Sequence, residues 1–139
     1  MIFSARTQAL AEAQNWRCAY CSFVMLAPWA GNGELRAVIG RGQSGTHRRK
    51  ARIMRTISCD HVEPRSAHGT DALDNLVAAC CWCNQFRGDR PAAEAFNRIQ
   101  RLIRRGTHPH QVWERTGRFP SYVAMRQVGQ LRQAPREVA

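Results

Sequence analysis

Two Cys-x-x-Cys pairs set far apart, Cys18 with Cys21 and Cys80 with Cys83, constrain this chain more than any other feature. Two residues between thiols let both sulfurs of a tight turn face one ion, and two such turns complete a tetrahedral four-thiolate shell. One pair alone would also suit a redox motif. Two pairs in a chain with no secretory signal favour zinc over disulfides. The gap between the pairs is wider than in a simple zinc ribbon, so the ion has to clamp distant segments around something. A shell closed by four thiolates leaves no open position, which makes this zinc structural. Cys59 and Cys81 remain. Cys81 could replace Cys80 only by making C-x-C, so both are read as small apolar fillers.

The residues between the pairs carry the chemistry. Asp60 offers a hard oxygen suited to magnesium or manganese. His61 is of the one side-chain type whose ordinary pKa lets it take a proton near neutrality. Neighbours on a strand point to opposite faces, so the two share a site only where the strand bends. Pro64 and Gly69 fit a chain leaving regular structure just afterwards. Asn84 follows a zinc ligand at the start of a helix, and its side-chain oxygen is a candidate second ligand to the same ion as Asp60.

The pattern Cys18-x-x-Cys21, Asp60-His61-x-x-Pro64, Asp74-Asn75-Leu76, Cys80-x-x-Cys83-Asn84-x-x-Arg87-Gly88 resembles the HNH endonuclease family. The resemblance spans roughly residues 16–90. It implies an α+β fold: a small ββα-metal (HNH, or His-Me finger) core stapled by a four-cysteine zinc, with flanking helices. It implies Asp60 as a metal ligand, His61 as general base, Asn75 as organiser of the loop and Asn84 as second ligand. Arg87-Gly88 stands where many members have Lys-Gly, and His68-Gly69 replaces the more usual Gly-Gly. Phosphodiester hydrolysis needs an activated water and neutralised phosphate charge, which a histidine base and a divalent ion supply. Magnesium suits two protein ligands on an otherwise hydrated ion.

Composition agrees on the partner. The net charge is +11, and Lys50 is the only lysine among 21 Lys and Arg residues. Arginine matches phosphate with a bidentate fork, and a strong positive balance attracts nucleic acid by counterion release. Double-stranded DNA is the expected substrate. The densest basic run, THRRKARIMR at 46–55, places Arg48, Arg49, Lys50 and Arg52 close in sequence to Asp60. With Arg87 and Arg90 they are the candidate phosphate contacts. No stretch has the length of a membrane span and the first residues lack an apolar signal core, so the expectation is a cytoplasmic protein with no membrane partner.

In chain order, residues 1–15 read as a helix capped by Ser4, and Trp16 and Tyr20 bracket the first thiol turn as its shield. Residues 16–92 form the nuclease core, with a glycine-rich insertion at about 28–46 that holds a short strand at 35–39. Residues 46–55 read as a loop and strand face, and 53–59 as the first strand of the hairpin. A second apolar segment at 76–79 leads into the second thiol turn, and a short helix starts at Cys83 or Asn84. Residues 93–139 are a helical extension and tail. Asp89 caps its first helix with Pro91 near the first turn, Ala92, Phe96, Ile99 and Ile103 recur at helical spacing, and Gly106 ends it. A further helix from Thr107-His108-Pro109 ends at Gly117, and RQAPREVA is a frayed tail.

Two other readings compete. A non-catalytic zinc-stapled module would bind nucleic acid through its arginines, but mere binding needs no general base. A zinc redox or thiol-transfer protein would use the cysteine pairs, but it leaves Asp60, His61 and the +11 charge without a role.

Overall fold

The computed structural model describes residues 4–40, 45–64 and 67–120. The expected tail RQAPREVA lies outside the described residues. The elements run α1 (Ala5–Ala13), α2 (Asn32–Ile39), α3 (Gly45–Arg55), β1 (Ile57–His61), β2 (Leu76–Cys80), α4 (Cys81–Arg87), α5 (Ala92–Arg105) and α6 (Pro109–Thr116). Strands β1 and β2 form one antiparallel pair, from Ile57 opposite Cys80 to His61 opposite Leu76. Helix α4 follows β2 without a loop, so the hairpin and its helix make the ββα unit of a small α+β fold. Among the described residues no helix is long and apolar enough to cross a membrane.

Helix α1 starts as its sequence dictates: the Ser4 hydroxyl accepts the Thr7 N–H at 3.1 Å. Beyond it the Gln14 amide closes the open edge of β2. It donates to Ala78 O at 2.9 Å and accepts the Ala78 N–H at 2.8 Å. An exposed strand edge is a template for unwanted pairing, and this amide occupies it. The first thiol turn is tied to the same strand by Ala19 N–H to Ala78 O at 3.0 Å.

Three local expectations are corrected. Residues 35–39 are not a strand: they lie in α2, with Leu35 and Ile39 buried one turn apart and Gly40 closing the helix at φ +67°. A short apolar run carries both periods, and here the helical one prevails. The basic run at 46–55 is helical as α3, and the hairpin strand begins only at Ile57. The buried face of α3 is Ala51 and Arg55, so a charged residue stands where an apolar one would have announced the helix. Arg55 is held there by Val24 O at 2.9 Å, by the Phe23 ring 5.0 Å from its guanidinium carbon and by Glu114 at 3.7 Å. Helix α5 has Pro91 itself at the N-cap with no side-chain cap, and its buried face is Ala95 and Ile99 while Phe96 is exposed.

The core gathers where these elements meet the cysteines. Ile57, Ala78, Ala79 and Cys80 from the hairpin pack with Trp82 and Cys83 of α4, Ile99 of α5, Trp113 of α6 and Phe119. The Trp113 indole N–H reaches Ile39 O at 2.5 Å and so ties α6 to α2.

Candidate active site and metal centre

Cys18, Cys21, Cys80 and Cys83 are buried and bring their sulfurs within 4.8 Å of one another. Backbone N–H groups turn toward them. Tyr20 and Cys80 donate to Cys18 Sγ at 3.4 and 3.3 Å, and Cys83 donates to Cys80 Sγ at 3.4 Å. Cys80 ends β2 and caps α4, so the second thiol turn is the first turn of that helix. Burial pushes the Cys80 and Cys83 thiols well up, while hydrogen bonding from Cys21 and the other two cysteines pulls Cys18 down. Four buried thiols so close ionise together only around a cation, and an all-sulfur set of four suits zinc. Cys59 and Cys81 stand outside the cluster. Cys81 accepts the Gln85 amide N–H at 3.2 Å, and burial raises both thiols.

A cavity of about 490 Å³ opens at the end of β1. Asp60, His61 and Pro64 line it from the hairpin side, and Asn84, Arg87 and Gly88 from α4 and its end. Adjacent residues Asp60 and His61 thus share one wall where the ladder stops at Leu76. Asp60 is buried. Its Oδ2 accepts the Tyr20 hydroxyl at 2.5 Å and Arg87 Nη1 at 2.6 Å. Its Oδ1 has no such partner among the described residues. Burial first, then the Asp60 carboxylate, push the Tyr20 hydroxyl up, so it stays a donor. Tyr20 sits between the cysteines of the first thiol turn, which makes that turn a direct support of the cavity.

Asn84 is oriented by a chain of donors. The Ser58 hydroxyl gives its hydrogen to Ala79 O at 2.9 Å, so toward Asn84 it only accepts. The Asn84 Nδ2 therefore faces Ser58 Oγ, at 3.0 Å, and the amide oxygen faces away. Asp60 and Asn84, each with an oxygen that has no partner among the described residues, thus line one cavity from two sides, and hard oxygens of this kind fit a magnesium or manganese ion.

His61 is half-buried, and its Nε2 lies 2.8 Å from Asp71 Oδ1. An ionised carboxylate only accepts, so Nε2 carries the hydrogen, and in the neutral ring Nδ1 keeps its lone pair. Asp71 is itself anchored, through its backbone oxygen, by Arg6 of α1 at 3.1 Å. Asn75 ties the loop between the strands. Its oxygen accepts the Glu63 N–H at 2.8 Å, and its Nδ2 donates to Glu63 O at 3.0 Å and Thr70 O at 2.7 Å. Gly69 belongs to the same knot: a Cβ there would lie 1.7 Å from Glu63 O. His68 before it is exposed and takes φ +67°.

The expected phosphate contacts divide. Arg48, Arg49, Lys50 and Arg52 lie on α3, with Arg49 exposed and the others half-buried. Arg52 is drawn to Ala30 O. Arg87 and Arg90 turn inward instead, at 2% and 1% exposure. Arg87 binds Asp60, the carbonyls of His61, Val62 and Arg90, and the Tyr20 hydroxyl, and so locks the hairpin end onto α4. Arg90 reaches Phe86 O at 2.8 Å and stacks over the Phe86 ring. Removing either partner of a buried charge pair such as Asp60 with Arg87 costs about 3–5 kcal/mol. Sequence reasoning missed Ser58, Asp71 and the hold of the Tyr20 hydroxyl on Asp60. It also missed His108 and His110, whose rings abut the thiols.

No curated protein and no solved structure matches the chain. Residues 47–90 match the family model described as HNH endonuclease. That span holds α3 from His47 onward, the hairpin with Asp60, His61 and Asn75, and α4 with Cys83 and Asn84. The segment that builds the cavity and half of the thiol cluster is thus the part of the chain that matches the HNH endonuclease model.

Proposed function

We propose that this protein is a metal-dependent endonuclease that hydrolyses phosphodiester bonds of double-stranded DNA. The observation that carries the reading is the shared cavity of Asp60, His61 and Asn84, with the His61 Nδ1 lone pair left free by the Asp71 contact. His61 takes a proton from the attacking water at Nδ1, and Asp71 holds the ring through Nε2. Asp60 and Asn84 would hold magnesium or manganese. When bound, that ion supplies Lewis acidity and positive charge at the scissile phosphate and the leaving oxygen. Arg87 and Tyr20 fix the direction of the Asp60 carboxylate, and Ser58 fixes that of the Asn84 amide. Asn75 holds the loop that carries Asp71 at its distance from His61. Arg48, Arg49, Lys50 and Arg52 on α3 are the basic residues assigned to the DNA backbone.

The capture of Asp60 by both Arg87 and Tyr20 favours a second reading, in which the module binds nucleic acid without cutting it. The two differ in one experiment. Supercoiled plasmid is incubated with the zinc-loaded protein over a magnesium titration, alongside Asn84→Ala. The endonuclease reading expects nicking by the wild type, and a magnesium midpoint raised on the order of tenfold or more in the variant. A wild type that shifts DNA in gels but never nicks it supports the binding module. An unchanged midpoint removes Asn84 from the ion.

A further inference from the structure

We infer that His108 and His110, at the start of α6, are hydrogen-bond donors to the zinc thiolates of Cys83 and Cys80, so that the C-terminal extension closes and retains the metal centre. The inference rests on the four-thiolate zinc reading. The two rings are at 0% and 1% exposure, and they lie outside the segment that matches the HNH family. His108 Nε2 is 3.5 Å from Cys83 Sγ, and His110 Nε2 is 3.3 Å from Cys80 Sγ.

The His108 tautomer is set by its neighbour. Its Nδ1 accepts the His110 backbone N–H at 3.1 Å as the N-cap of α6, so Nδ1 carries no hydrogen. A neutral ring then bears its hydrogen on Nε2, the atom that faces Cys83. The nitrogens of both rings also lie within 4.8 Å of Cys21 Sγ, a grouping that would suggest a second metal. The His108 tautomer argues against it, because Nε2 has no lone pair to give while Nδ1 serves the cap.

The electrostatics supply the reason for two donors. A zinc dication with four thiolates carries two excess negative charges, and burial makes uncompensated charge expensive. Backbone N–H groups already serve Cys18 and Cys80. Among the described residues, His108 is the donor that reaches Cys83. The buried cation Arg55 stands on the same side, over Phe23. Phe23 stacks on His108 at 5.7 Å and meets His110 edge-on at 5.5 Å, and Trp82 meets His108 edge-on at 4.7 Å. These rings hold both imidazoles in place. Glu114 of α6 completes the link by pairing with Arg55. Outer partners of metal ligands typically govern about 10–100-fold in metal affinity.

The test uses the full zinc-loaded chain with His108→Phe, His110→Phe and His108→Gln. Zinc release to a chromophoric chelator is timed, and the thiolate-to-cobalt band of the cobalt-loaded protein is recorded. Both Phe variants should release zinc about tenfold or more faster and move the cobalt band to lower energy, since a thiolate that loses a donor gives up its electron more easily. His108→Gln keeps an N–H and should release zinc close to the wild-type rate. If it releases as fast as His108→Phe, or if the Phe variants keep the wild-type rate and band, the rings only pack and the inference fails. Two zinc ions per wild-type chain, falling to one in His110→Phe, would overturn it in favour of a second metal. A wild type that binds no zinc overturns both this inference and the zinc reading beneath it.

Discussion

Replacing His61 by alanine is expected to slow single-turnover nicking of supercoiled plasmid by about 10²–10⁴-fold at saturating magnesium. The loss follows from the Nδ1 lone pair, which the Asp71 contact at Nε2 leaves without a donor among the described residues. Stability should hardly change. His61 is half-buried and its hydrogen-bond partner Asp71 is exposed, and contacts of that kind contribute about 0–1 kcal/mol. The backbone contribution of His61, its carbonyl bound to Arg87, survives the substitution. Zinc content and melting temperature should therefore match the wild type. A loss of less than tenfold, with zinc retained, would mean that another group takes the proton.

The second large effect is on folding. Cys83→Ser is expected to abolish zinc retention and with it the cooperative melting of the domain. Structural zinc contributes about 10–16 kcal/mol in small zinc modules, against a typical total stability of about 5–15 kcal/mol for a whole domain. The cost is not local here. Cys83 belongs to the first turn of α4, and the same helix carries Asn84 and Arg87 to the cavity. The first thiol turn carries Tyr20, whose hydroxyl holds Asp60. Loss of the ion thus releases two sides of the candidate active site at once. Cys59→Ser and Cys81→Ser serve as controls, since neither sulfur joins the cluster, and both should melt near the wild-type temperature with full zinc. Circular-dichroism melts with metal analysis decide it. A Cys83→Ser protein that melts as the wild type does, with one zinc per chain, would contradict a four-thiolate structural site.

The sequence made some parts of this architecture legible for physical reasons. Cysteine spacing is a local constraint with few alternatives, so the four clustered thiols could be separated in advance from Cys59 and Cys81. The ββα unit was legible because Asp60-His61, Asn75 and Asn84 keep the spacing of a known family. What stayed hidden depended on direction or on distant partners. The basic run read as an exposed face, yet α3 buries Arg55 and so conceals its helical period. Arg87 and Arg90 carry charge, which suggests solvent and phosphate, yet the fold supplies enough carbonyls and a carboxylate to hold them inside. Asp71 is an ordinary loop residue until the Asn75 knot brings it to His61. Ser58 matters only through the carbonyl that commits its hydrogen. His108 and His110 read as the start of a helix, and nothing local in His-Pro-His announces that α6 lies over the thiols.

The central claim is a division of labour between two metals: a retained zinc that holds the fold and an exchangeable ion that serves the cut. The most direct measurement follows plasmid nicking and zinc content together, as the zinc-loaded protein passes from magnesium into EDTA and back. The account predicts that nicking stops in EDTA while one zinc per chain remains, and that magnesium alone restores it. Nicking that persists in EDTA with zinc still bound, or that returns only when zinc is added, would contradict it.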